Sequence, residues 1–212
     1  MSISENIQKI KSEIPEGVTL VAVSKTKPVS DIEQAYNSGH LIFGENKVQE
    51  LVEKHDKLPK NIEWHMIGHL QTNKVKYITP FVSLIHGVDS EKLLKEIDKR
   101  AQQNNRIIDC LLQVHIAKES TKFGFSEKEI EEIIPKLESY KNVNIIGFMG
   151  MATFTENKIQ IKEEFSLLSN IYNKHKQMNT LSMGMSGDYK IAISCESNMI
   201  RIGSTIFGNR NY

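Results

Sequence analysis

The chain has 212 residues, of which 39% are hydrophobic and 25% charged, enough for one sizeable core. Its 27 Lys plus Arg stand against 26 Asp plus Glu, and the resulting charge of +1 supplies no field to draw in nucleic acid or an anionic membrane, so an anionic ligand has to be held locally. Cys110 and Cys195 lie far apart and outside any CxxC pair, which argues against a disulfide framework or a zinc knuckle and fits a reducing cytoplasm.

The opening segment "MSISENIQKIKSEI" mixes charges with an apolar spacing that suits a short amphipathic helix. No apolar run long enough to span a bilayer follows, so neither a signal peptide nor a membrane span is expected. From there apolar runs and helical patterns alternate. Strands are expected at residues 18–25, 41–46, 62–68, 82–90, 107–117, 143–152, 181–186 and 199–208. Patterns such as "SDIEQAYNSG", "EKLLKEIDKRAQQNN", "SEKEIEEIIPKLESY" and "IKEEFSLLSNIYNKH" carry capping residues, charged faces and helical spacing, and so read as the connecting helices. Such an alternation predicts an α/β fold, a (β/α)8 TIM-type barrel near its lower size limit with an added N-terminal helix. An open doubly wound sheet is the rival, weakened because no G-x-G-x-x-G follows the first strand and no phosphate-loop motif occurs. No linker or composition shift divides residues 1–212, which are taken as one domain.

The first strand, in "VTLVAVSKTKP", ends on Lys25, which alternation places on the face of Val23, Val21 and Thr19. Two readings stand. The lysine snorkels where the strand ends, or it points into the barrel mouth, where the carboxyl ends of strands build the active face of such folds. A lysine in partly apolar surroundings can offer a neutral amine that attacks an aldehyde, and pyridoxal phosphate is the obvious biological aldehyde. That cofactor also requires a phosphate cradle and a group facing its ring nitrogen. In "MIRIGSTIFG", alternation turns Arg201 inward, and Gly203 and Ser204 follow where backbone N–H groups and a hydroxyl can meet an anion. "SMGMSG" adds Ser182, Gly184, Ser186 and Gly187 nearby, although ordinary turn chemistry would explain either segment alone.

Asn46, closing "FGEN", either hydrogen-bonds the ligand's phenolic oxygen or caps the following helix. His65 and His69 in "EWHMIGHLQTNK" have a helical ligand spacing, but Gly68 marks a strand end and no metal site is expected. Lys27 reads as solvated, and His115 as a polar strand-end residue. Lys122 in "STKFGF" is either a solvated loop lysine or a basic residue near the mouth that assists release of the phosphate.

Taken in order, "VAVSKTKP", "FGENKVQE", "WHMIGHLQTNK", "GVDS", "STKFGF", "LSMGMS" and "RIGSTIFG" resemble the pyridoxal phosphate homeostasis proteins, also called proline synthase co-transcribed homologues, from about residue 18 to 210. The resemblance implies the barrel of the alanine racemase amino-terminal domain, pyridoxal phosphate bound as an internal aldimine, and a role in vitamin B6 and amino-acid balance without established enzyme activity. It puts the aldimine on Lys25, the ring-nitrogen arginine at Arg201, phosphate contacts at Ser182, Gly203 and Ser204, and Asn46 beside the ring. Two departures stand out: Glu196 and Ser197 occupy a place where the family commonly has Gly-Ser or Gly-Thr, and His115 one where it has asparagine. The first puts the turn into the last strand in question.

Two functions follow. A non-catalytic carrier is favoured, because an arginine opposite the pyridine nitrogen keeps it unprotonated and weakens the ring as an electron sink. A small racemase or related enzyme would need an acid or base on each face of the bound substrate. Related enzymes take part of that machinery from a carboxy-terminal β-domain and a dimer partner, whereas this sequence stops at Tyr212, directly after the barrel. The expected partners are the cofactor and apo forms of pyridoxal phosphate enzymes, with the chain a cytoplasmic monomer that engages neither nucleic acid nor membrane.

Overall fold

The computed structural model describes residues 2–119 and 123–208. Its elements run α1 (Ile3–Glu13), β1 (Thr19–Val23), α2 (Val29–Asn37), β2 (Ile42–Glu45), α3 (Val48–Lys57), β3 (Glu63–Met66), α4 (Val75–Ile78) and β4 (Leu84–Val88). Then come α5 (Glu91–Gln103), β5 (Ile108–Gln113), α6 (Glu127–Ile133), β6 (Val143–Met149), α7 (Lys158–Lys174), β7 (Thr180–Ser182), α8 (Tyr189–Ser194), β8 (Met199–Ile202) and α9 (Ser204–Phe207). The strands pair in chain order, all parallel, and close because β1 runs beside β8 from Thr19↔Met199 to Ala22↔Ile202. The expected (β/α)8 barrel with an N-terminal helix is therefore the fold.

Local chemistry starts the helices. Ser2 and Glu5 form a reciprocal capping box at α1, and Ser126 and Glu129 form another at α6. Ser90 caps α5 and Asn157 caps α7, each satisfying first-turn N–H groups that have no partner inside the helix. Removing such a cap costs about 1 kcal/mol.

Apolar side chains sort into two shells by strand parity. Outward residues such as Leu20, Ala22, Phe43, Trp64, Ile200 and Ile202 pack with Ile7, Ile10 and Ile32 of the neighbouring helices on one side of the barrel. Val21, Leu84, Leu111, Met149 and Met199 pack on one another inside it, so the barrel is plugged and not a pore. Gly147 lets β6 approach β7 so closely that a Cβ there would overlap the Thr180 carbonyl.

Every strand is shorter than its apolar run: β8 stops at Ile202 and not at residue 208, and β1 stops at Val23 and not at Lys25. The reason is that apolar character continues into buried turns and helix starts; Ile206 and Phe207 are buried, but in α9. Hydrophobicity alone cannot separate the two. Among the described residues, no helix is long and apolar enough to cross a membrane.

Candidate functional site

Lys25 lies two residues beyond β1, half-buried, in a turn whose next residue, Thr26, has φ +65. Its placement in a turn corrects the expectation that it closes the strand. Ser24 still reaches the sheet through its N–H to the Gly44 carbonyl at 3.1 Å, and the chain then folds back with Lys27 N–H on the Ser24 carbonyl at 3.0 Å. Asn46 leaves β2 at the same level, because Val23 pairs with Gly44 and each residue lies two further on. Asn46 does not cap α3, whose N-cap is Lys47 without a side-chain bond. Its backbone packs against Gly68, where a Cβ would collide with the Asn46 carbonyl.

Outside the barrel wall, directly behind the Lys25 turn, sits a buried ionic cluster. The Lys54 ammonium donates to the Ser24 carbonyl at 2.7 Å, Glu45 Oε1 at 2.8 Å and Glu50 Oε1 at 2.7 Å. Ser24 Oγ donates to Glu45 Oε1 at 2.6 Å, and Thr26 N–H to Glu50 Oε1 at 2.5 Å. Burial pushes the Glu45 carboxyl up to about 6, outweighing the opposing pull of the Lys54 charge. Glu45 Oε2 is buried without a hydrogen bond.

Inside the barrel, above the apolar plug, Arg201 Nη1 donates to Ser182 Oγ at 2.5 Å and Nη2 to the Gly150 carbonyl at 3.0 Å. Ser182 Oγ meets His86 Nδ1 at 3.1 Å, and His86 Nε2 meets His65 Nδ1 at 3.0 Å. A guanidinium can only donate, so Ser182 Oγ accepts from Arg201, while the His86 tautomer sets the direction of the bonds to Ser182 and His65. Both imidazoles are neutral: burial holds His65 down to about 3, and burial followed by the nearby His65 and Arg201 charges holds His86 well below its usual range. Burial also lowers Arg201, to about 10.

The structure thus brings Ser182 and Arg201 into direct contact and sets Lys25 and Asn46 on adjacent strand ends. Gly203 follows β8 and packs on Val23, with a built Cβ 3.3 Å from the Val23 carbonyl; its N–H donates to Ser186 Oγ at 3.3 Å, and Ser204 is exposed. Lys27 is not solvated but donates to the Phe207 carbonyl at 2.8 Å. His69 is bonded to Asp89 at 2.8 Å and stacked on Phe123. His115 meets the Glu119 carbonyl at 2.9 Å. Lys122 lies outside the described residues.

His86, Glu45, Glu50 and Lys54 had escaped the sequence reading. His86 shares inward parity with Leu84. Glu45 shares the outward, helix-covered face with Phe43, and Lys54 continues the buried α3 stripe of Val48 and Leu51; a charge at such a position is the available signal.

A cavity of about 250 Å3 lies at the mouth, lined by Asn46, Lys47, Gln49, His69, Gln71 and Lys74. A larger one, about 680 Å3, opens at the opposite end around Gly17, Thr19 and His40 and contains none of the candidates. Of the candidate residues, the smaller cavity is lined by Asn46 and the larger by none. The candidate residues at the carboxyl ends of the strands fit an anionic aldehyde cofactor: Arg201 is a buried cation whose hydrogen-bonded partners among the described residues are neutral oxygens, leaving N–H donors for a ligand acceptor.

A family model described as alanine racemase, N-terminal domain, matches residues 1–211. The pyridoxal phosphate homeostasis protein of Aquifex aeolicus is 37% identical over 219 residues, covering 99% of this chain and 96% of that one. This chain belongs to the pyridoxal phosphate homeostasis proteins, within the alanine racemase N-terminal-domain family. PipY of Synechococcus elongatus PCC7942, solved with PLP bound, is 31% identical with a TM-score of 0.90, covering 98% of this chain and 100% of that one. Alanine racemase of Clostridium difficile 630 shares the fold at 13% identity and a TM-score of 0.81, with all of this chain matching 57% of that one.

Proposed function

We propose that this protein binds pyridoxal 5'-phosphate through Lys25 and serves intracellular vitamin B6 homeostasis, holding the cofactor without substantial catalysis. The observation that carries the reading is that the half-buried Lys25 turn and the buried Arg201 belong to neighbouring strands of one closed barrel, with Arg201 paired to Val21 and Lys25 following four residues on. The names of the relatives and the PLP bound in PipY support it.

In this reading Lys25 would hold the cofactor through its side-chain amine, the nucleophile that an aldehyde would meet at this turn. Asn46 orients the ring from β2. Arg201, held by Ser182 and Gly150, would face the ring nitrogen as a donor and keep it unprotonated, which would disfavour carbanion chemistry. Gly203 and Ser204 would meet the phosphate, and Ser182 would donate its O–H to it while its oxygen still accepts from Arg201. When bound, the cofactor supplies an electrophilic carbon. The recipients are apo forms of enzymes that use it, and the protein acts as a monomer.

The test is a visible spectrum of the purified protein with pyridoxal phosphate, followed by borohydride reduction and peptide mass spectrometry. The expected result is a Schiff-base band and one reduced adduct at Lys25, both lost in Lys25→Ala, with no racemised or decarboxylated product from a panel of amino acids. Sustained turnover of any amino acid would sink the carrier reading, and an adduct on another lysine would sink the site.

A further inference from the structure

We propose that Lys54, Glu45 and Glu50 form a positioning device for Lys25, fixing the backbone on both sides of the reactive lysine. The proposal rests on the reading of Lys25 as the cofactor lysine.

Lys25 is not part of the sheet, so the barrel does not hold it by ladder hydrogen bonds. Its neighbour Thr26 sits at φ +65, a conformation that a β-branched residue adopts only when its surroundings impose it. The surroundings that do so converge on one ammonium. Lys54 is 5% exposed and its three N–H groups are all used, on Ser24 O, Glu45 Oε1 and Glu50 Oε1. Through these bonds α3 grips the residue before Lys25 by its carbonyl. Through the Thr26 N–H on Glu50 Oε1, at 2.5 Å, it grips the residue after. Glu45, wholly buried on β2, ties the cluster to the strand and holds Ser24 a second time through its hydroxyl.

Burying the Glu45 carboxylate and the Lys54 ammonium is a poor route to stability, since apolar side chains of like volume commonly do as well. What an apolar trio could not do is hold a carbonyl and an N–H on either side of one residue. Directional bonds at Ser24 and Thr26 fix the backbone from which the Lys25 side chain departs, so less freedom is left to lose when the amine engages a ligand.

Glu50 is the informative position, because its side chain is 21% exposed and its loss leaves the Lys54, Glu45 and Ser24 bonds in place. In Glu50→Ala we expect faster hydrogen exchange at the Thr26 amide of the apo protein, and formation of the Schiff-base band slowed roughly tenfold to a hundredfold. Glu50→Gln, which keeps an acceptor for Thr26 N–H, should recover most of that rate. Lys54→Met is the harsher variant, expected to lose the band while folded molecules, counted by circular dichroism, remain. Unchanged exchange and an unchanged rate of band formation in Glu50→Ala, whatever its melting temperature, would overturn the proposal, leaving the function reading intact. A wild-type protein that forms no band at all would overturn the function reading, and this proposal with it.

Discussion

At Glu196 the backbone takes φ +70, where a side chain costs roughly 1 kcal/mol and glycine costs nothing. The resemblance implies a glycine here; with Glu196 in that place the turn into β8 forms. Ser197 explains how: its buried hydroxyl donates its one proton to the Met183 carbonyl at 2.8 Å, with the Leu181 and Met199 carbonyls within 3.1 Å, and accepts from the Met183 N–H at 3.3 Å, while Asn173 donates to Glu196 Oε2 at 2.7 Å. Both Glu196→Gly and Glu196→Ala lose the Asn173 bond, but only glycine relieves the strain. Chemical denaturation should therefore find Glu196→Gly more stable than Glu196→Ala by about 1 kcal/mol. Equal stability would mean that the turn is not strained.

Among the elements, β3 and β4 each contribute a buried histidine to the pH dependence of folding. His65 and His86 face each other inside the barrel and stay neutral in the fold, with His65 lowered to about 3, whereas an unfolded chain titrates them near 6.5. Their contribution is fully present above 6.5 and is lost as pH falls, because the unfolded chain then takes up protons that the fold refuses. Each should cost roughly 1.4 kcal/mol per pH unit below that value. His86→Asn should flatten the acid limb of a stability profile measured between pH 6.5 and 5; an unchanged slope would show that the pair is not neutral in the folded barrel.

On β2, Glu45 acts with the opposite sign. Raised to about 6 in the fold, it contributes stability that is present below 4.5 and lost as pH rises through 6, a change of roughly 2 kcal/mol. Against Glu45→Gln, wild type should therefore lose ground between pH 4.5 and 7.

For the molecule as a whole, closure of the barrel and assembly of the site are one event. Lys25 follows the first strand, Arg201 lies in the last, and the two strands meet only when the sheet closes. A ligand held by both should stabilise the folded state by mass action, about 2.7 kcal/mol at a hundredfold excess over its Kd. Thermal melts with pyridoxal phosphate should rise accordingly for wild type and much less for Lys25→Ala; equal rises would place the binding elsewhere. The interior plug should matter as much as the outer core. Leu111→Ala, at a fully buried position facing Val21 and Met149, should cost about 2–5 kcal/mol in urea melts.

Alternation of apolar runs with helical patterns determined the barrel, since parallel strands joined by helices leave few ways to bury both faces of a sheet. Parity alone assigned the inward turn of Arg201, because successive side chains in a strand must point to opposite faces. The tertiary structure decided where each strand ends, moving Lys25 from a strand to a turn, since buried helix starts are as apolar as strands. It also decided every long-range polar bond. Nothing in "FGENKVQELVEK" says that Lys54 reaches back to the Ser24 carbonyl, nor in "LIHG" that His86 lies between His65 and Ser182. Such contacts join residues 20 to 100 apart in the chain, and only the closed barrel brings their strands side by side.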